Sequence, residues 1–113
     1  MSRHEDSVTF RQMLDHIEEA VALAKNRTRA DLESDRVFFL ALLKLVEIVG
    51  ESATRISDIG QAAHTEIPWR EIVGTRNRLV HGYDAVDYSI LWNIATVDFP
   101  PLAKLIRALL PQK

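Results

Sequence analysis

The chain contains no cysteine. Disulfides, thiol nucleophiles and cysteine-based metal sites are therefore excluded. Glycine is scarce: the four residues, at positions 50, 60, 74 and 82, are too scattered to form a phosphate-cradling loop. Long hydrophobic runs are also missing. The most apolar stretch, from Val37 to Gly50, is interrupted by Lys44 and Glu47 and is too short to span a bilayer. The first residues, Met1-Ser2-Arg3-His4-Glu5-Asp6, lack the apolar run of a signal peptide, so a cytoplasmic protein without a membrane association is expected. His4, His16 and His64 have no histidine partner at helical ligand spacing, so neither a metal nor another cofactor is expected. There is no large excess of either charge. The formal net charge is -2, whereas a dedicated nucleic-acid binder is usually basic, and any nucleic-acid contact must rest on a local patch.

What is present is a helical pattern over nearly the whole length. With 113 residues and 47% hydrophobic content, the chain can bury a core as one domain, residues 1-113. Phe10, Leu14, Ile17, Val21 and Ala24 recur every three or four residues and predict a first helix from about Val8 to Lys25. Asn26 to Leu32 reads as a connection. Ser34 is the expected N-cap of a second helix reaching about Asp58. Its first half, Val37 to Leu43, is apolar on every face and must be covered all round, either by a second subunit or by its neighbours in the bundle. Its second half carries Lys44, Glu47, Glu51 and Arg55 at helical steps, which fits a solvated salt-bridge ladder or a functional role for Glu51.

Gly60 to Thr65 breaks the pattern. Pro68 suits the first turn of a third helix, which ends at His81 with Gly82 as its stop. Asp87 is placed to cap a fourth helix through Ile90, Leu91, Ile94 and Val97. Pro100-Pro101 interrupts it and starts a short last helix carrying Leu102, Leu105, Ile106 and Leu109. No segment alternates long enough to predict a strand. The expected fold is all-α: an up-and-down bundle of four main helices plus a short C-terminal one. Trp69 and Trp92 have apolar neighbours at helical spacing and are expected in the core.

The densest chemistry lies in Arg76-Asn77-Arg78-Leu79-Val80-His81-Gly82-Tyr83. A permanently charged guanidinium suits phosphate, and an imidazole moves protons near neutral pH. On one continuous helix, Trp69, Ile72, Val73, Arg76, Val80 and Tyr83 share a stripe. Arg76 would then point among apolar partners, where its charge needs a carboxylate such as Glu51 or Asp87, a cleft, or a ligand phosphate. Asn77 and His81, four apart, would allow the amide to orient the imidazole. Arg76 and His81, five apart, lie about 140° from one another on a regular helix. They converge only if the helix end unwinds or a second copy completes the site.

The same stretch resembles the Arg-x-x-x-x-His-x-Tyr signature of the HepT-like ribonuclease toxins of the HEPN superfamily. Glu47-Ile48-Val49-Gly50-Glu51-Ser52-Ala53 resembles that family's Gly-Glu-Ala segment, with Ser52 departing at the last position. Ile67-Pro68-Trp69, the segment from Asp87 to Trp92 and the prolines at 100 and 101 extend the resemblance to roughly residues 8-110. It implies a homodimer that joins two motifs across its interface. It implies metal-independent RNA cleavage with Arg76 and His81 as the catalytic positions. It also implies a partner, an MntA-like minimal nucleotidyltransferase antitoxin that silences the toxin by transferring AMP to Tyr83. Asn77 would orient His81, Arg78 would hold flanking phosphate, and Tyr83, beside the pair in the motif, would bind RNA. The alternative is a non-catalytic helical subunit that presents substrate or nucleotide to a nucleotidyltransferase.

Overall fold

The computed structural model describes residues 3-81 and 85-111, and for Arg3, His4 and His81 the backbone alone. Helix α1 spans Arg3–Ala24 and buries Phe10, Met13, Leu14, Ile17 and Ala20 along one face, as their spacing predicts. It ends where Asn26 takes a left-handed conformation, with φ 64°. A single turn, α2 (Asp31–Ser34), leads into α3 (Arg36–Thr54). The cap of α3 is Asp35 rather than Ser34: the Asp35 carboxylate accepts from Phe38 N–H at 3.1 Å. Ser34 belongs to the preceding turn, so it is not free to cap. Arg27 reaches back to Asp35 at 2.7 Å and Asp31 at 3.3 Å. The Phe38 and Thr28 backbone donors, followed by Arg27, hold these two carboxyls below their usual range.

Helix α3 ends at Thr54, earlier than its apolar content suggests, because Ser57 caps a new short helix, α4 (Asp58–Ala63). The segment expected to be irregular around Gly60 is thus partly helical. Asp6 anchors this corner, accepting from Ser57 N–H at 2.9 Å and Ser57 Oγ at 2.5 Å. The N-terminal end of α1 therefore meets the C-terminal end of α3, and the two helices pack antiparallel.

The third expected helix is split. Pro68 serves as the N-cap of α5 (Trp69–Val73), and α6 (Thr75–Leu79) follows after Gly74. A two-residue ribbon, β1 (Val80–His81) with β2 (Ala85–Val86), pairs antiparallel with Val80 opposite Val86. Asp87 caps α7 (Tyr88–Asn93) as expected, accepting from Ile90 N–H at 2.9 Å. Pro100-Pro101 does not interrupt the chain there. A π-helical segment, Ile94–Asp98, joins α7 directly to α8 (Phe99–Leu109), so the stretch runs as one helical body. The prolines lack N–H groups and crowd the carbonyls one turn back. The widened register just before them, in which Phe99 N–H bonds Ile94 O, accommodates both effects.

The architecture is an all-α bundle, with α1 packed against both α3 and α8. Its core centres on Ile17, Leu42, Val46, Ile94 and Ile106, all at most 2% exposed. Both tryptophans pack against it: Trp69 beside Phe10 with ring centroids 6.0 Å apart, and Trp92 edge-on to Phe38 at 6.5 Å. The apolar run of α3 divides. Phe38, Phe39 and Leu42 are buried by neighbouring helices, while Val37 and Leu40 remain 78% and 47% exposed. Among the described residues, no helix is long and apolar enough to cross a membrane.

Candidate functional site

The motif segment is positioned by packing on both sides of its break. Trp69 Nε1 donates to His64 O at 3.0 Å and Ile72 is buried, which fixes α5. At Gly74, a side-chain Cβ would lie 2.9 Å from the Arg70 carbonyl, closer than real contacts allow, so glycine suits this tight turn. Thr75 is buried and its hydroxyl donates to Ile72 O at 2.6 Å, capping the end of α5 from within α6. Thr75 and Leu79, four residues apart, are the inward positions of α6.

This break changes where Arg76 points. The single stripe predicted from Trp69 to Tyr83 requires one unbroken helix. Because α6 starts afresh after Gly74, Arg76 lies one residue off the buried line and is exposed, as is Val73 at 42%. The cost of burying a guanidinium does not arise. Arg76 makes no ion pair with Glu51 or Asp87, nor with any other described residue. Arg76 borders a depression of about 300 Å³, lined also by Glu47, Gly50, Glu51 and Thr54 of α3 and by Val73 and Thr75.

The helix stops before the histidine. Val80 is already extended, with φ −99° and ψ 125°, and His81 lies in β1 opposite Ala85. The 140° separation of a continuous helix therefore does not apply to Arg76 and His81, and the i, i+4 relation of Asn77 to His81 is absent as well. Asn77 is exposed on α6. Arg78 is half-buried and pairs with Asp98 at 3.3 Å, tying α6 to the last residue of the π-helical segment. An exposed pair of this kind is weak and exchanges readily with other anions. The His81 side chain and the whole of Gly82, Tyr83 and Asp84 lie outside the described residues. The proposed roles of His81 and Tyr83 therefore rest on sequence.

The remaining polar groups stand apart. His16 Nδ1 lies 2.8 Å from Gln12 O, and His64 Nδ1 lies 3.8 Å from Glu66. Among the described residues, no three His, Asp or Glu side chains group closely enough to hold a metal ion. Lys44, Glu47, Glu51 and Arg55 form no salt-bridge ladder. Arg55 instead donates to Ser52 Oγ at 3.1 Å.

Two features of this site escaped the pattern of the sequence. Asp98 is twenty residues from Arg78, and nothing local links them. Gly50 did carry a signal, since an isolated glycine inside an apolar helix marks a close backbone approach. A Cβ there would meet Ile72 O at 3.1 Å and Thr75 Cβ at 3.3 Å. Gly50 is therefore where α3 and the motif segment touch, and it sets Glu47 and Glu51 beside Arg76.

Comparison with known proteins bears on this arrangement. A family model described as "Ribonuclease HepT-like" matches residues 13–109. A protein of Thermococcus cleftensis named "Probable ribonuclease HepT" is 34% identical over 98 residues, covering 83% of this chain and 89% of that protein. A protein of Caldanaerobacter subterraneus subsp. tengcongensis named "Putative RNase TTE0752" is 30% identical over 109 residues, covering 93% and 97% respectively. No solved structure matches.

Proposed function

From the premise that this chain belongs to the HepT-like ribonuclease family, we propose that it is a metal-independent endoribonuclease, the toxin of a type VII toxin-antitoxin system. The observation that carries the reading is that Arg76 is exposed, has no ion pair among the described residues and lines a depression, one turn before the chain leaves the helix for His81. A permanent cation with no ion-pair partner among the described residues is available to a phosphate.

The chemistry follows from the groups. Neutral His81 takes the proton from an RNA 2′-hydroxyl. The oxygen attacks the adjacent phosphorus, and the bond to the 5′-oxygen of the next nucleotide breaks. Arg76 offsets the charge that builds on the phosphoryl oxygens in the transition state. The leaving oxygen takes up a proton, so the products are a 2′,3′-cyclic phosphate and a 5′-hydroxyl. Asn77, exposed on α6, contacts the RNA, and Arg78 exchanges its Asp98 pair for a flanking phosphate. Two copies form the working unit, with their motifs facing one another.

The direct test is incubation of the purified protein with RNA in excess chelator. Cleavage should persist, and the new ends should carry cyclic phosphate. Intact RNA under these conditions would leave the non-catalytic subunit reading in its place.

Silencing is assigned to AMP transfer from ATP onto the Tyr83 hydroxyl by an MntA-like nucleotidyltransferase, with pyrophosphate leaving. The added phosphate brings negative charge and bulk beside Arg76 and His81, repelling and blocking RNA. Tyr83→Phe should therefore remain toxic when that enzyme is co-expressed, and its intact mass should not rise in AMP steps. Mass steps that persist in Tyr83→Phe would place the modification at another residue.

A further inference from the structure

The depression beside Arg76 holds more than a phosphate site needs. One wall is α3, where Glu47 is half-buried, Glu51 and Thr54 are exposed, and Gly50 lies between them. The other wall is Val73, Thr75 and Arg76. Neither Glu47 nor Glu51 has an ion-pair partner among the described residues. Both carboxylates repel phosphate, so they do nothing for the group that Arg76 attracts. Their own partners are hydrogen-bond donors or cations. The two threonine hydroxyls are committed to the backbone, Thr54 donating to Glu51 O at 2.5 Å and Thr75 to Ile72 O at 2.6 Å. The carboxylates are thus the acceptors left to a ligand. Val73 adds apolar surface, exposed at the end of α5 on the side of Arg76. The volume, about 300 Å³, stands at the lower end of small-ligand pockets and suits one planar ring system.

We infer that this depression is a nucleobase subsite, in which Glu47 and Glu51 select guanine next to the scissile phosphate. An RNA strand with a phosphate on Arg76 carries a base on either side of it. Single-stranded RNA is read by turning such a base out and hydrogen-bonding its Watson–Crick edge. The edges differ in what they offer a carboxylate. Guanine presents two adjacent donors, N1–H and N2–H, spaced to match the two oxygens of one carboxylate. Uracil presents one donor, N3–H, flanked by two carbonyl oxygens that a carboxylate repels. Adenine and cytosine each present one amino group beside an acceptor nitrogen. Guanine alone therefore gives a two-bond, charge-assisted contact. Its flat face covers Val73. The half-buried Glu47 is the less hydrated acceptor, and loses most when a base fails to supply a donor. This rests on the ribonuclease reading above and adds the base that the site prefers.

The test uses short oligonucleotides that are 2′-O-methylated except at one nucleotide, so that only one bond can be cut. The base on each side of that bond is varied in turn, in excess chelator. At one of the two positions guanine should give a kcat/KM at least about tenfold above uracil, the discrimination of one good two-bond contact. Inosine, which keeps N1–H but lacks the N2 amino group, should lose most of that advantage. In Glu47→Gln/Glu51→Gln the guanine-to-uracil ratio should fall to near unity. A merely structural fault would lower all rates together and leave the ratio standing. Cleavage without base preference, inosine cut as well as guanine, or a ratio unchanged in the double variant would overturn the inference while leaving the ribonuclease reading intact. An unchanged ratio would give the carboxylates to another contact, such as a cationic side chain of a protein partner. If no oligonucleotide is cut, both readings fall together.

Discussion

Replacing His81 with alanine should slow RNA cleavage by about 10²- to 10⁴-fold, the usual worth of a positioned general base. Replacing Arg76 with alanine should slow it by about 10²- to 10³-fold, the loss seen when one transition-state charge stabiliser is removed. The two groups act on one displacement, so the double variant should be little worse than the weaker single one. The structure supplies a control for Arg76. Arg76 is exposed and makes no ion pair among the described residues, so Arg76→Ala should change stability by less than about 0.5 kcal/mol. A variant that melts like wild type yet cleaves hundreds of times more slowly has lost chemistry rather than fold. Expression without the nucleotidyltransferase should show the same division: wild type arrests growth and degrades RNA, and both variants are harmless. Wild-type rates in Arg76→Ala would remove the reading, because the exposed cation is the observation that carries it.

The sequence revealed those parts of the fold that depend on local spacing. The buried faces of α1 and α3 follow from apolar residues at three- and four-residue steps, and Asp87 declared itself as a cap. Parts that depend on competition between neighbours were harder to read. Ser34 and Asp35 both suit an N-cap, and Asp35 took the role because Ser34 was already drawn into α2. Pro100-Pro101 signalled a stop, but a shift to π-helical bonding absorbed the missing donors. The site shows the same division. Arg76 and His81 stood out by residue type, and the need for either an unwound helix end or a second copy followed from their five-residue separation. The break at Gly74 did not follow from periodicity, because Ile72, Val73 and Val80 keep a helical rhythm across it. That break turned Arg76 from an expected buried cation into an exposed one. The face it shares with Glu47 and Glu51 exists only through the packing of α3 on the motif segment.

That packing can be attacked at one atom. Gly50→Val places a Cβ 3.1 Å from Ile72 O and 3.3 Å from Thr75 Cβ, and adds two methyl groups beyond it. The first of these neighbours is backbone, held in α5, and Thr75 is buried with its hydroxyl committed to Ile72 O. Neither can swing aside as a surface side chain would. Relief requires α3 and the α5–α6 turn to separate. Overpacking of this kind costs about 1–3 kcal/mol, and for a chain of this length each kcal/mol lowers Tm by roughly 3–6 °C. The larger effect should be on activity. Arg76 immediately follows Thr75, so a shift of the turn moves the guanidinium, and a displacement of about 1 Å is enough to cost on the order of 10²-fold in rate. Ile106→Val provides the comparison. It trims a fully buried side chain of α8, remote from the depression, for about 0.5–1.5 kcal/mol. At temperatures where both variants are folded, Ile106→Val should cleave RNA like wild type and Gly50→Val should not. Gly50→Val with a lowered Tm but undiminished cleavage would show that α3 supports the motif segment only as core, and that Arg76 does not depend on the fit at Gly50.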